Sequence, residues 1–434
     1  MKVHFLGIGG IGVSALAQYY LAKGHEVSGS DLNSSETTDH LGKLGIKIYI
    51  TDNNILDSRF RGNDNELPDL IIYSPAIKQE NLELRFYKDK GAKCFSYPEA
   101  LGELTKDYFT IAVSGSHGKS TTTSMLALAL IRACLDPTVI IGTKLNEFGN
   151  TNFRLGKSKY LVIEACEHEE SFLSYFTKII VITNIEAEHL DYYKNLKNVI
   201  RGFQRFINHL PKDGILLVNK EDKNIKKLKT KAKVAKFSIR QKEAKAIKKL
   251  LQIPGVHNIC NALAVLAVTR ELNIDDKIIL KSLSEYKGSW RRFENKKGFV
   301  GSKEITAISD YGHHPTEVQA TLKAVREKFP KQKIWCVFQP HQYQRTFLLF
   351  KDFVKVFKSA KIDNIIVTDI YGVAGREKES TKVSSEKLVS VIKKKSVIYI
   401  PQIEIENFVK QNVKEGDVLL IMGAGDIYKL YDKF

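Results

Sequence analysis

The chain of 434 residues is predicted to be an α/β protein of about three domains, and three observations lead to that prediction. Its length corresponds to roughly three domains of about 150 residues each. Short apolar runs typical of strands alternate with longer runs of helical spacing, which is the rhythm of parallel sheets covered by helices. Glycine-rich segments follow two of the predicted strands and lead directly into helices.

The alternation defines three blocks, at residues 1–106, 107–288 and 289–434. In the first block a polar segment, residues 57–68, is expected to be a surface loop or insertion. The apolar runs predict strands at residues 2–7, 25–30, 46–50 and 70–74 in the first block, 110–113, 160–164, 179–183 and 215–218 in the second, and 334–338, 364–368, 396–400 and 417–422 in the third. Helices are predicted at residues 11–23, 124–132 and 258–272.

Composition restricts the classes of protein that the chain can belong to. Its 43% hydrophobic and 27% charged residues are ordinary for a globular protein, and no apolar run approaches the ~18 residues of a membrane span. The five cysteines are scattered, which argues against a disulfide framework or structural zinc and favours a reducing cytoplasm. Much of the net charge of +18 lies in residues 212–249, where few aromatic residues accompany the lysines. We therefore expect a solvated lysine-rich face and no nucleic-acid partner.

The most informative segment is GSHGKSTTT at residues 115–123, between a predicted strand and a predicted helix. Backbone N–H groups of such a turn, together with the helix N-terminus and Lys119, form a phosphate site. The hydroxyl of Ser120 is placed to hold the Mg²⁺ of a nucleoside triphosphate. Because Val113 stands where the strict motif has a glycine, the match is to a shorter variant. The residues predicted to bind the nucleotide here are Gly115, Ser116, His117, Gly118, Lys119, Ser120 and Thr121.

A second glycine motif, GIGGIG at residues 7–12, follows the first strand, and Asp31 lies about twenty residues further on. This pattern fits the dinucleotide fingerprint, so an NAD(P)-dependent oxidoreductase is an alternative. The motif specifies only a diphosphate at a helix N-terminus and an acceptor for a ribose hydroxyl, which a uridine diphosphate would also satisfy. Two phosphate sites in separate blocks favour two different nucleotides.

Polar residues follow several of the later strands. The acidic run at 164–170, which begins at Glu164, and the segment with Asn184, Glu186 and His189 are expected to hold Mg²⁺ or act in the active site. His257, Asn258 and Asn261, at a helix start, are spaced to contact a purine, although Asn258 could instead cap the helix. In the third block the residues suited to carboxylate or phosphate binding are His313, His314, His341 and Arg345.

In this order, and over nearly the whole chain, the segments resemble the Mur ligase family, the ATP-dependent amino-acid ligases of peptidoglycan precursor synthesis. Further points of likeness are SPAI at 74–77, RRF at 291–293, DYGHHP at 310–315 and FQPH at 338–341. The resemblance implies a Rossmann-like N-terminal domain for the UDP-sugar (residues 1–106), a P-loop-type central ATPase domain (107–288) and a Rossmann-like C-terminal domain for the amino acid (289–434).

The reaction implied by the resemblance joins L-alanine to the carboxylate of UDP-N-acetylmuramate through an acyl phosphate, with ATP and Mg²⁺. We also expect a cytoplasmic protein without membrane insertion that is a monomer or a weak homodimer. It implies catalytic roles for Lys119, Glu164, His189, Arg291, His313 and Arg345, and Mg²⁺ ligands at Ser120, Glu164 and His189. Adenosine contacts are implied for His257, Asn258, Asn261 and Asp310, and substrate contacts for Gly9, Gly10, Ile11, Gly12, Ser30, Asp31, Ser74, Arg292 and His341.

The chain departs from the family pattern at several of these positions. The family usually carries carboxylates at Cys166, at Ser309 and, as Asp, at Glu188, and an arginine at Gln342. Cys166 removes a carboxylate near the metal, and Gln342 removes a guanidinium from the expected amino-acid pocket. The alternatives are a murein tripeptide ligase of the same family, in which a tripeptide replaces alanine, an NAD(P)-dependent oxidoreductase and a nucleic-acid-dependent ATPase.

Overall fold

The structure, a computed structural model, describes residues 1–51, 67–373 and 381–434. The predicted insertion at 57–68 therefore lies, except for its last two residues, outside the described residues. The chain divides into two compact units. The first comprises residues 1–241 and 261–283 and contains two sheets, and the second comprises residues 242–260 and 284–434 and contains one.

The first sheet has five parallel strands in the order β3-β2-β1-β4-β5. Its elements are β1 (Lys2–Leu6), α1 (Ile11–Ala22), β2 (Glu26–Asp31), α2 (Glu36–Lys43), β3 (Lys47–Ile50), β4 (Leu70–Tyr73), α3 (Leu82–Asp89), β5 (Cys94–Ser96) and α4 (Tyr97–Thr105). The strand order reverses at β1, where neighbouring connections run to opposite sides. Such a reversal opens a crevice beyond the carboxyl ends of the strands, and the first glycine motif lies there.

The second sheet has seven strands in the order β12-β11-β10-β6-β9-β7-β8. Its strands are β6 (Phe109–Ser114), β7 (Thr138–Leu145), β8 (Thr151–Arg154), β9 (Tyr160–Glu164), β10 (Ile179–Ile182), β11 (Ile215–Asn219) and β12 (Lys233–Phe237). The helices of this part of the chain are α5 (Lys119–Arg132), α6 (Leu190–Tyr193), α7 (Leu196–Asn208), α8 (Glu243–Leu250), α9 (Val256–Glu271) and α10 (Asp276–Glu285). All neighbouring strands are parallel except β7 and β8. The central position of β6 places the phosphate loop in the middle of the sheet edge.

The third sheet, in the second unit, has six strands in the order β13-β14-β18-β15-β16-β17. Its elements are β13 (Glu294–Val300), β14 (Lys303–Asp310), α11 (Pro315–Lys328), β15 (Ile334–Phe338), α12 (Tyr343–Leu348), α13 (Phe350–Ser359), β16 (Asn364–Val367), α14 (Ser385–Ile392), β17 (Val397–Tyr399), α15 (Ile405–Asn412) and β18 (Val418–Met422). Only the edge pair β13–β14 is antiparallel. Apolar clusters cover both faces of this sheet.

One continuous apolar core joins the two sheets of the first unit, which explains why they form one unit. Leu101 on α4 and Phe172, which follows β9, are both fully buried in it. Gly102 is packed so closely that a Cβ there would lie 2.3 Å from Ser174 O. The two sheets of the first unit are therefore packed against each other over a shared hydrophobic interface.

The predicted α/β class and most predicted strands are confirmed, and one helix boundary is corrected. The helix predicted at 124–132 begins at Lys119, because the polar run of serine and threonine is buried against the sheet rather than left in the loop. Strands β5 and β12 and the hairpins β7–β8 and β13–β14 were not predicted. All five cysteines are free thiols. Within the described ranges, no helix combines the length and the apolar character needed to cross a bilayer.

Candidate functional site

The phosphate loop runs from the end of β6 into the first turn of α5, and two glycines make its path possible. Gly115 has φ +133° and Gly118 has φ +83°, both in the region that favours glycine. A Cβ on Gly115 would lie 2.1 Å from Thr183 Oγ1, and one on Gly118 would lie 2.5 Å from Asn261 Oδ1. The N-terminus of α5, with its unpaired N–H groups, therefore opens onto the loop, as anion sites require.

The segment after β10 braces this loop through side chains. The Asn184 side chain accepts a hydrogen bond from His117 N at 2.9 Å and donates one to His117 O at 2.9 Å. Thr183 Oγ1 donates to the same carbonyl at 2.6 Å, and Glu186 N donates to Ser116 Oγ at 2.8 Å. The contacts hold the loop backbone in one conformation, so its N–H groups are preorganised for a ligand.

Lys119 is the charged residue of the loop. Its Nζ donates to Gly115 O at 2.6 Å and to Glu167 Oε2 at 2.9 Å. Burial by itself lowers the pKa of Lys119, but the carboxylate of Glu167 outweighs it and holds the pKa above the ordinary value. Lys119 is therefore a permanent cation at the N-terminus of α5.

Glu167 was missed among the predicted site residues, although it lies in the acidic run that sequence analysis singled out. Its side chain is 1% exposed, and its Oε1 lies 3.7 Å from His189 Nε2. Tyr193 OH donates to Glu167 O at 2.5 Å, which fixes the backbone there. Glu167 thus lies between two predicted site residues, Lys119 and His189, and contacts both.

Glu164 ends β9, paired in register with Val113 of β6, and its Oε2 accepts a hydrogen bond from Gly142 N at 2.6 Å. Ser120 lies in the first turn of α5 and is buried. Carboxylate and hydroxyl oxygens are the donors that Mg²⁺ prefers, so Ser120 and Glu164 fit this ion, with His189 as a less typical ligand. Burial, and then Glu167, raises the pKa of Cys166 to about 11. Its thiol stays neutral near pH 7 and does not replace the missing carboxylate.

In the first glycine loop Asp31 turns towards the backbone. Its Oδ2 accepts a hydrogen bond from Gly9 N at 2.8 Å, and the neighbouring Ser30 donates to Glu83 Oε2 at 2.7 Å. Gly12 packs on the Tyr97 ring, where a Cβ would lie 2.7 Å away. Of the other predicted substrate residues, Gly10 and Ile11 are exposed, while Ser74 Oγ accepts from Ala76 N at 3.3 Å.

The residues predicted to contact adenine separate into the two units. Asn261 lies in the first unit beside Gly118, at the phosphate loop. His257 and Asn258 are assigned to the second unit. Asn258 is 4% exposed and its Nδ2 donates to Pro254 O at 2.7 Å, so this amide helps to hold the turn before α9.

In the second unit the two neighbouring arginines have different environments. Arg291 is 5% exposed, and its guanidinium donates to the carbonyls of Gly423 and Gly425. It also lies over the rings of Trp290, Tyr311 and Tyr428. These donors hold the turn after β18, and the substrate-binding role expected of Arg291 from the sequence stays a prediction.

Arg292 and Asp310 lie beside this cluster. Arg292 is more exposed than Arg291, and its Nη1 lies 3.9 Å from Glu317 Oε1. Asp310 accepts hydrogen bonds from Phe293 N at 3.0 Å, Gly312 N at 2.9 Å and Thr321 Oγ1 at 3.1 Å. Burial raises the pKa of Asp310. The structure therefore shows Asp310 as a brace between β14, α11 and the arginine pair.

His313, His341 and Arg345 form a cluster near the ends of β14 and β15. The rings of His313 and His341 are 5.8 Å apart, and His341 stacks on Tyr371 at 5.5 Å. Arg345 Nη1 lies 3.2 Å from His341 Nδ1. Since a guanidinium only donates, Nδ1 of His341 accepts, and a neutral ring carries its proton on Nε2.

His313 has the opposite tautomer, because its Nδ1 lies 3.2 Å from the carbonyl oxygen of Tyr311, which only accepts. Burial, and then the charge of Arg345, lowers the pKa of His313 well below its ordinary value. Near neutral pH the ring is uncharged with a lone pair on Nε2. His314, its neighbour, instead begins α11, where Nδ1 accepts from Thr316 N at 3.3 Å.

Models of three protein domains match successive parts of the chain. They are described as the Mur ligase family catalytic domain, matching residues 2–109, the Mur ligase middle domain, matching 113–269, and the Mur ligase glutamate ligase domain, matching 291–425. A UDP-N-acetylmuramate–L-alanine ligase of Clostridium tetani is 41% identical over 461 residues, covering all of this chain and 97% of the relative.

Solved structures give the same relationship. A UDP-N-acetylmuramate–alanine ligase from Thermotoga maritima superposes with a TM-score of 0.80 at 28% identity, covering 100% of this chain and 98% of that one. A murein peptide ligase from Psychrobacter arcticus has a TM-score of 0.71 at 21% identity, with coverage of 100% and 98%. The second of these similarities concerns the fold alone.

Proposed function

Because this chain belongs to the Mur ligase family, we propose that it is the ligase that joins L-alanine to the carboxylate of UDP-N-acetylmuramate at the expense of ATP. The observation that carries the proposal is the full-length identity of 41% to a relative of that name, together with Lys119 held charged at the phosphate loop. The proposed domains are residues 1–106 for the UDP-sugar, 107–288 for ATP and 289–434 for the amino acid.

The first chemical step brings two anions together. A carboxylate oxygen of the sugar attacks the γ-phosphorus of ATP, ADP leaves, and an acyl phosphate forms. Lys119 reduces the repulsion between the carboxylate and the phosphate, and the N–H groups of the loop stabilise the transferred charge. Glu167 keeps Lys119 protonated and oriented. Mg²⁺, when bound by Ser120, Glu164 and His189, would supply further positive charge.

The second step joins the amino acid. The amine of L-alanine attacks the carbonyl carbon, phosphate leaves with one of the original carboxylate oxygens, and an amide remains. We assign the alanine carboxylate to Arg345 and to the Nε2–H of His341, because both present donors. We assign the ammonium group to the Nε2 lone pair of His313, which can accept a proton as the amine becomes a nucleophile.

Phosphate release by the purified protein tests this function. We expect release only when UDP-N-acetylmuramate, Mg·ATP and L-alanine are all present. Phosphate release that does not depend on the UDP-sugar would contradict the proposal. Efficient use of a tripeptide in place of alanine would favour the murein tripeptide ligase. Tight NADH binding, or release stimulated by DNA, would favour the remaining alternatives.

A further inference from the structure

A cluster of three side chains lies next to the Lys119–Glu167 pair, and the proposed function uses only one of them. His168, His189 and Asp191 have potential ligand atoms that all lie within 4.8 Å of one another. The rings of His168 and His189 are 4.5 Å apart. All three side chains are partly exposed, so an ion from solvent can reach them. We propose that they form a binding site for a borderline divalent transition ion such as Co²⁺ or Zn²⁺.

The distances suit one small ion. Ligand atoms at about 2.1 Å from a metal are separated by at most ~4.2 Å. Donor atoms that lie within 4.8 Å of one another therefore need movements of less than about 1 Å, which side-chain rotation can supply. Three protein ligands leave further coordination positions open for water or an anionic group.

The donor set decides the class of ion. Two imidazole nitrogens and one carboxylate oxygen suit Zn²⁺, Co²⁺ and related ions, whereas Mg²⁺ prefers an all-oxygen environment and keeps several waters. His168 supplies the second imidazole nitrogen of this donor set. The cluster is therefore expected to bind a transition ion more tightly than Mg²⁺.

Costly backbone conformations occur at His189 and directly after His168. His189 has φ +52°, and Glu169 and Glu170, directly after His168, have φ +50° and +56°. Left-handed conformations of non-glycine residues cost about 1 kcal/mol or more each and persist where the surroundings fix them. Here Arg205 pairs with Glu170, and Tyr193 N donates to His189 O at 2.9 Å. The ligands are therefore positioned before an ion binds, which lowers the cost of binding.

Glu167 supports the site from the buried side. Its Oε1 lies 3.7 Å from His189 Nε2, and its charge is balanced by Lys119. A carboxylate next to a metal-binding histidine orients the ring and increases its basicity. A transition ion here would share His189 with the proposed Mg²⁺ site. Only its effect on catalysis rests on the proposed function, because binding itself requires neither substrate nor turnover.

The test is a Co²⁺ titration of the metal-free full chain, without nucleotide, followed by visible absorption and by calorimetry. We expect one ion per chain and an affinity that falls by about tenfold or more in His168→Ser. His209→Ser, which removes an exposed histidine at the end of α7, should bind as the original chain does. Asp191→Asn, which keeps the size and shape of the side chain, should also weaken Co²⁺ binding. It provides a second test if His168→Ser does not fold.

Two results would overturn the inference: no saturable Co²⁺ or Zn²⁺ binding, or equal affinity in folded His168→Ser or Asp191→Asn and in the original chain. Ligase activity with Mg²⁺ is measured on the same preparation. Active protein that binds no Co²⁺ contradicts only this inference, whereas protein that binds Co²⁺ but never ligates contradicts only the proposed function.

Discussion

Lys119 Nζ lies 2.9 Å from Glu167 Oε2, and the two residues follow neighbouring strands, β6 and β9, of the central sheet. The side chain of Glu167 is 1% exposed and that of Lys119 is 18% exposed. A carboxylate so far from solvent depends on its cation, so the two residues are coupled in stability as well as in function.

Replacing Lys119 with Met should abolish turnover while leaving the binding of the UDP-sugar unchanged. We expect a loss of at least about 10²- to 10³-fold in kcat, because the cation shielding the transferred phosphoryl group is gone. Binding of UDP-N-acetylmuramate, measured by calorimetry, should be unchanged because the first glycine loop is a separate site. If the Lys119→Met variant lost affinity for the UDP-sugar, the first glycine loop and the phosphate loop would not be separate sites.

The same change should also destabilise the fold, because it leaves Glu167 buried without its partner. We expect a loss of about 3–5 kcal/mol in the free energy of unfolding, measured by denaturant titration. The double variant Lys119→Met, Glu167→Gln should recover most of that stability but none of the activity. Equal stability of the single and double variants would show that the pair is not coupled.

Gly118→Ala should raise the KM for ATP, because the added methyl group would meet Asn261 Oδ1 at 2.5 Å. Gly149→Ala is the matched control, since Gly149 also has a positive φ, +74°, but has open space around its Cβ position. Both variants should lose about 1 kcal/mol of stability through backbone strain. Only Gly118→Ala should raise the KM for ATP. An equal rise in both variants would argue that the contact with Asn261 is not the cause.

Arg291→Met should mainly reduce stability, and Arg292→Met should mainly reduce activity. Arg291 is buried and donates to two backbone carbonyls, so its loss should cost about 2–4 kcal/mol of unfolding free energy. Arg292 is partly exposed, and its loss should cost about 1 kcal/mol or less. Thermal unfolding and steady-state kinetics separate the two effects. A stable but inactive Arg291→Met variant would instead support a direct substrate contact of Arg291.

His313 should remain neutral as the pH falls through the ordinary histidine range near ~6.5. Burial and the charge of Arg345 both lower its pKa, so protonation, and the loss of the proposed proton acceptor, come only at more acidic pH. NMR titration of the imidazole resonances measures this directly. In Arg345→Met the pKa should move upward, because one of the opposing charges is removed. An ordinary pKa in the unmodified chain would contradict the proposed role.

The sequence was sufficient to predict most of the parallel strands, although β5 and β12 were not predicted. The strands at Tyr160–Glu164 and Ile334–Phe338 are continuous apolar runs that read as buried strands, and the structure has them at those bounds. The hairpin strand Glu294–Val300 is polar at most positions, so its sequence carries no strand pattern. It forms because its backbone pairs with β14 at the sheet edge, a tertiary contact that local propensity does not contain.

The residues of the candidate site could also be predicted only in part from the sequence. The motif identified Lys119, but the run of acids at 164–170 did not reveal that Glu167 faces it. The chain turns sharply after β9, where Glu169 and Glu170 are left-handed, and composition does not encode that path. Likewise, nothing local distinguishes Arg291 from Arg292. Only the packing of Arg291 among three aromatic rings shows which guanidinium is buried.

The most direct test of the account follows the oxygen atoms of the sugar carboxylate. UDP-N-acetylmuramate labelled with ¹⁸O in both carboxylate oxygens is ligated to L-alanine, and the released phosphate is analysed by mass spectrometry. Attack of the carboxylate on the γ-phosphorus predicts one ¹⁸O in each phosphate, because the acyl phosphate leaves that oxygen behind when the amide forms. Unlabelled phosphate accompanying the amide product would mean that no acyl phosphate forms, and would contradict the account.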